Sequence, residues 1–196
     1  MSLLLLGNLS SGCAGILFGG VAASASLGHD RRTTGTIVED QAIEVKINEQ
    51  INQHEAFRNN SHVDVTSYNL MVLLSGEVPS AELREQAEQI ARNTEKVSAV
   101  TNELVIGPPS SLADRSNDTW ITTKVKSALF QISGLPDFDA TRVKVVTDRG
   151  VVYLFGLLTP PEADVVVETA RNVGGVQKVV TLFEYISETP APAATT

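Results

Sequence analysis

The chain contains its own copy. A pattern running from Asp40 to Ile106 returns from Asp118 to Ile186, displaced by 78 to 80 residues. Ile43, Lys46 and Ile47 stand against Ile121, Lys124 and Val125, and Val63 and Val65 against Val143 and Val145. Met71–Gly76 matches Val151–Gly156, Ile90–Asn93 matches Thr169–Asn172, and Val97 and Val100 match Val176 and Val179. A fold built twice constrains itself: shared positions report what the fold requires, and divergent ones report what each copy does. Units of 67 and 69 residues bury only about 60% of their unfolded surface and are marginal alone. Packing of one copy on the other is therefore expected.

Each copy reads helix, strand, strand, helix, strand. In copy two, Asn117 or Asp118 can cap a helix, and Ile121, Val125, Ala128, Leu129 and Ile132 follow helical spacing. Arg142–Thr147 and Val151–Leu157 are strand-like runs joined by the turn Asp148-Arg149-Gly150. Thr159-Pro-Pro-Glu162 opens a second helix as a capping box, Gly174-Gly175 stops it, and Gln177–Ile186 is the closing strand. Copy one places helices near Asp40–His54 and Ala81–Lys96, with strands near His62–Ser67, Met71–Val78 and Ser98–Ile106. Gly76 and Gly156 recur near the end of the second strand, where a glycine marks a bulge or a close backbone approach.

Charge is spread unevenly. Copy one carries 11 acidic and 5 basic residues, copy two 8 and 7. A chain of net charge −8 is ill suited to nucleic acid, whose binding rests on many phosphate contacts. Only the second copy approaches an anionic surface without strong repulsion. One cysteine, Cys13, excludes an internal disulfide, and His29, His54 and His62 show no ligand spacing. No metal or cofactor is expected.

Met1–Cys13 is a short apolar stretch followed by small residues and the lone cysteine. It resembles the tail of a bacterial lipoprotein signal peptide, which would make 1–12 a removed leader and Cys13 the acylated N-terminus. Leu9 stands four residues before the cysteine, where the lipobox usually has leucine at three, and the basic n-region is missing. The same residues also fit a free or buried cysteine in an apolar leader. Residues 14–28 are rich in Ala, Gly and Ser and suit a tether, taken here to span 13–39. Ala14 after the cysteine is not the aspartate that favours inner-membrane retention, which points to the outer membrane.

The strand-end glycine and the closing Val-x-x-Val element resemble the BON domain. Asp30-Arg-Arg-Thr-Thr-Gly35, Ser116–Val125 and Gly175–Val179 carry a resemblance to the dual BON-domain outer-membrane lipoproteins of the DolP/YraP type. The resemblance implies two α/β (α+β) sandwiches at 40–106 and 118–187, each αββαβ with two helices on one face of a three-stranded mixed sheet. A linker at 107–117 and a disordered tail at 188–196 complete the organisation. It further implies lipid anchoring on the periplasmic face, a role in outer-membrane integrity, and binding of anionic phospholipid through the second domain.

Helical spacing gives that implication an address. Trp120 lies off the core row, beside Lys124, Ser127 and Gln131, and copy one has Ala42 at its place. The fold therefore does not need a large aromatic there. Trp120 with Ile121, Lys124 and Lys126 forms the candidate phospholipid-binding set, for phosphatidylglycerol or cardiolipin, since an indole sits at headgroup level and cations meet phosphates. Lys144 and Arg149 either extend this basic surface or are ordinary solvated charges. The alternative is that Trp120 packs between the two copies.

No P-loop, dinucleotide fingerprint, nucleophile elbow or zincin motif is present, so a binding protein is expected rather than an enzyme. A second functional reading is an adaptor for envelope proteins of outer-membrane assembly or cell-wall remodelling, docking on the acidic first copy.

Overall fold

The computed structural model describes residues 30–58 and 60–187. The expected leader, Cys13, most of the expected tether and the expected tail from residue 188 lie outside the described residues. Copy one comprises α1 (Thr34–Gln53), β1 (His62–Tyr68), β2 (Met71–Val78), α2 (Ala81–Asn93), β3 (Ala99–Asn102) and β4 (Val105–Ile106). Copy two comprises α3 (Leu112–Leu129), β5 (Lys144–Asp148), β6 (Val151–Leu158), α4 (Pro160–Arg171) and β7 (Lys178–Tyr185). In each copy the second strand is central. β2 pairs antiparallel with β1 and parallel with β3 and β4, and β6 does the same with β5 and β7. These are the expected mixed sheets with paired helices.

Two helices begin earlier than the expected Asp40 and Asn117 or Asp118. Thr33 caps α1, and Ser111 caps α3 in a capping box with Asp114. The box satisfies two orphan N–H groups at once, so it prevails over a lone Asn117 or Asp118 six or seven residues on. Residues 112–117 of the expected linker, and 34–39 of the expected tether, are accordingly helical. The expected last strand of copy one is broken at Glu103-Leu104, where Leu104 turns into the core and its N–H bonds Asn102 Oδ1 at 3.2 Å.

Freed from capping, Asp40 and Asp118 share another task. Both lie inside helices and are buried. Asp40 accepts hydrogen bonds from the N–H groups of Asn69 and Leu70, each at 2.8 Å. Asp118 accepts those of Arg149 and Gly150, each at 2.9 Å. Those four residues are the turn positions of the β1–β2 and β5–β6 hairpins, and all have positive φ, as a two-residue type I′ turn demands. One carboxylate per copy thus locks hairpin to helix.

Alternation along the central strands splits the interior. Val72, Leu74 and Val78 face α1 and α2, and Val152, Leu154 and Leu158 face α3 and α4. The opposite faces meet each other: Leu73 and Tyr68 pack on Tyr153 and Phe155, with the Tyr68 and Phe155 ring centroids 5.8 Å apart. The sheets are back to back and the helices outermost. Polar bonds edge the seam, from Gly76 N–H to Asp148 (3.0 Å), Lys144 to Glu44 (3.1 Å) and Asn69 to Glu184 (2.7 Å).

Gly76 has φ +110°, and a Cβ there would lie 2.0 Å from the carbonyl oxygen of His62. Gly156 is less constrained; its Cβ would meet Leu158 at 3.0 Å. Gly76→Ala is expected to destabilise by well over about 1 kcal/mol, and Gly156→Ala by less, read by urea unfolding. Asp118→Asn leaves one turn N–H without its carboxylate partner and should cost about 2 kcal/mol, measured the same way. A loss under a few tenths would show that the clamp is dispensable.

Candidate functional site

Helix α3 presents two faces. Ile121, Val125 and Leu129 point into the core, and Ile121, 1% exposed, cannot touch a membrane without unfolding. Its place in the expected phospholipid set is corrected: it anchors the helix beneath the site. Trp120, by contrast, is 60% exposed. The indole is therefore not what joins the two copies; Tyr68, Leu73, Tyr153 and Phe155 do that.

Beside Trp120 on the outward side, Thr123, Lys126 and Ser127 are exposed. Phe130, just past the last helical residue, is 64% exposed. Ten residues at 100° each bring it to about 80° from Trp120 around the axis and about 15 Å along it. The outward strip thus carries an aromatic at each end, with Lys126, which makes no ion pair among the described residues, between them along the axis. Sequence reasoning passed over Phe130 because it adjoins the core residue Leu129. Helical spacing from Ile121 and Val125 was the signal that could have found it.

Lys124 plays a different part from the one expected. It is half-buried, and its Nζ donates to the carbonyl of Gly174, beyond the end of α4. A cation on the carbonyls at a helix C-terminus complements the helix dipole. The matching residue in copy one, Lys46, reaches Glu95 just past α2 at 3.6 Å. The repeated lysine ties first helix to second helix in both copies and belongs to the fold. What diverges is Trp120 against Ala42, Lys126 against Asn48, and Phe130 against Asn52.

Lys144 and Arg149 lie at the seam between the copies. Lys144 bonds Glu44 and the carbonyl of Ser67, each at 3.1 Å, and Arg149 reaches Glu77 at 3.4 Å. Neither extends the basic surface of α3.

The chain enters through a strap. Arg31 grips Glu162 with two nitrogens, at 2.7 and 2.9 Å, and donates to the carbonyl of Leu157 at 2.8 Å. Arg32 pairs with Asp30 and Asp40 and lies 3.9 Å from the centre of the Tyr68 ring. Adjacent arginines thus hold one copy each. Among the described residues no helix is long and apolar enough to cross a membrane.

Burial alone would raise the Glu162 carboxyl, but Arg31 together with the Thr159 N–H and hydroxyl holds it below its ordinary 4.5. A depressed carboxylate stabilises above its unfolded pKa and loses that contribution as pH falls through its folded one. The strap should therefore hold above about pH 4.5 and weaken below. Arg31→Ala is expected to cost about 2 kcal/mol at pH 7 and to lose less further stability between pH 5 and 3 than the parent, by chemical denaturation at each pH. Parallel losses for both proteins would contradict this.

The profile of the BON domain matches residues 39–108 and again 117–187. The chain is 37% identical over 175 residues to the outer membrane lipoprotein DolP of Haemophilus influenzae, covering 89% of each. It is 36% identical over 157 residues to a 21 kDa hemolysin of Actinobacillus pleuropneumoniae, covering 80% of this chain and 79% of that one. To the osmotically-inducible protein Y of Escherichia coli it is 28% identical over 148 residues, with 74% and 72% covered.

Proposed function

The chain belongs to the BON-domain family, as a two-copy member of the DolP/YraP type, and from that premise we propose that it is a lipid-anchored binding protein of the outer membrane. In this reading Cys13 carries the acyl chains on the periplasmic face, and the second domain engages anionic phospholipid through α3, supporting the integrity of the membrane. The observation that carries the reading is the divergence of the two copies on one helix face. Trp120, Lys126 and Phe130 replace Ala42, Asn48 and Asn52, while the core beneath is unchanged in character.

Magnitudes favour a weak reader on a strong anchor. Each aromatic ring contributes roughly 1.5–3 kcal/mol when its exposed surface leaves water. One well-placed cation contributes about 1 kcal/mol near an anionic surface. Such binding is modest from free solution. A lipid tether makes it a local equilibrium at high effective concentration. The acidic first copy is repelled by the same surface, which leaves α3 as the face turned to the membrane.

The test uses residues 30–196, which remove the anchor, floated with vesicles of phosphatidylglycerol and cardiolipin. Trp120→Ala combined with Phe130→Ala should lower partitioning by a hundredfold or so, and Lys126→Glu by about tenfold in a salt-sensitive way, with circular dichroism unchanged. Undiminished flotation of the folded double variant would overturn the proposal.

A further inference from the structure

A cavity of about 760 Å³ lies at the seam, walled by the segment from Pro108 to Ser111, the β5–β6 turn, and the first turns of α3. Its size is that of a small-molecule site, and domain boundaries are where such sites concentrate. We infer that it is a binding site for a cationic nitrogen group, a guanidinium or primary ammonium, carried on an aliphatic stem. The inference stands apart from the membrane reading.

The repeat shows what the place accepts. In copy one, Arg32 stands eight residues before the clamping Asp40, pairs with it at 2.9 Å, and covers the ring of Tyr68. The matching positions in copy two are Ser110, Asp118 and Asp148, and all three line the cavity. Where one copy fills this place with its own guanidinium, the other has a serine whose buried hydroxyl finds no partner. The chain itself shows which chemistry suits the place.

The cavity also carries unmet polar demand. Four carboxylates, Glu103, Asp114, Asp118 and Asp148, line the cavity with a single cation, Arg149, and that guanidinium is already paired with Glu77. Asp114 and Asp118 are committed to capping Ser111 and to the hairpin turn. Asp148 and Glu103 are not. Asp148 is 6% exposed, accepts one hydrogen bond, from Gly76 N–H, and has no cation within ion-pair distance among the described residues. The Glu103 side chain makes neither a hydrogen bond nor an ion pair there. Arg115 shares a neighbouring cavity with Asp118 and Asp148 but forms no ion pair among the described residues.

Tyr153 lines the same cavity and is 2% exposed, its hydroxyl without a hydrogen-bond partner among the described residues. Burial, then Glu103 and Asp148, raise its pKa, so it remains a neutral phenol. Burial also raises the Asp148 carboxyl, aided by Glu77, Asp118 and Asp64 against the Gly76 hydrogen bond. A cation entering here would relieve both groups: its N–H donors can be shared among the open oxygen of Asp148, Glu103 and the phenol oxygen. Val105, Pro108, Pro109 and Val151 offer apolar wall to the methylenes of a stem. No group of three or more metal-ligating side chains with suitable geometry occurs among the described residues, which favours an organic cation over a metal ion.

The experiment is isothermal titration of the full chain with agmatine and, separately, with the blocked peptide acetyl-Gly-Arg-Gly-amide. Saturable binding of agmatine supports a free amine or guanidine as the source, and saturable binding of the peptide supports a basic side chain of a partner. Binding of neither overturns the inference. Asp148→Asn should weaken the binding at least tenfold, and Glu103→Gln serves the same purpose should the buried variant fail to fold. Ser110→Arg, which copies the arrangement at Arg32, should abolish binding and raise the melting temperature. Parent-like affinity in the folded Asp148→Asn, Glu103→Gln and Ser110→Arg proteins would equally overturn it.

Discussion

Each sheet has two apolar faces and only one pair of helices to cover them. That shortage governs the rest of the structure. A copy of under 70 residues cannot leave Leu73 or Phe155 in water and remain stable, so the two sheets cover each other through Tyr68, Leu73, Tyr153 and Phe155. Back-to-back packing then leaves all four helices on the outside. The outward strip of α3 is free to carry Trp120 and Phe130 because the seam lies on the other side of the sheet. In the proposed reading, function sits on the helices because stability claims the sheets.

The seam also gathers charge. Glu77 is fully buried yet satisfied, by Arg149 and by the N–H of Ser110. The aspartate clamps place two further carboxylates at the hairpin turns. In copy one the strap brings Arg32 to that carboxylate, whereas in copy two no cation pairs with its counterpart among the described residues. A duplicated fold with one cation missing is asymmetric in electrostatics while symmetric in backbone, and the cavity beneath the linker is where the difference is felt.

Much of this was legible in the residues, and the failures have physical reasons. The two copies, their element order and their mixed sheets could be read because core positions recur at fixed spacing. Burial of β2 and β6 on both faces was also readable, as unbroken apolar runs from Met71 to Leu74 and Val151 to Phe155. Helix starts were misjudged because Asp40 and Asp118 look like caps, and only their distance from the hairpin turns reveals their role. Lys124 was read as a headgroup ligand since exposure cannot be inferred from helical position alone when a second helix ends beside it. Ile121 was included by adjacency to Trp120, though its own spacing placed it in the core. The Arg31–Glu162 pair joins residues 131 positions apart, a distance at which no local pattern speaks.

The chain has one tryptophan, so its fluorescence reports Trp120 alone. The most direct measurement is that emission in the presence of phosphatidylglycerol vesicles whose acyl chains carry bromine. The account expects a blue shift and quenching that deepens as bromine is moved toward the headgroup, with a much smaller response to phosphatidylcholine. Emission unchanged in position and intensity, at vesicle concentrations where the protein is fully bound, would contradict it.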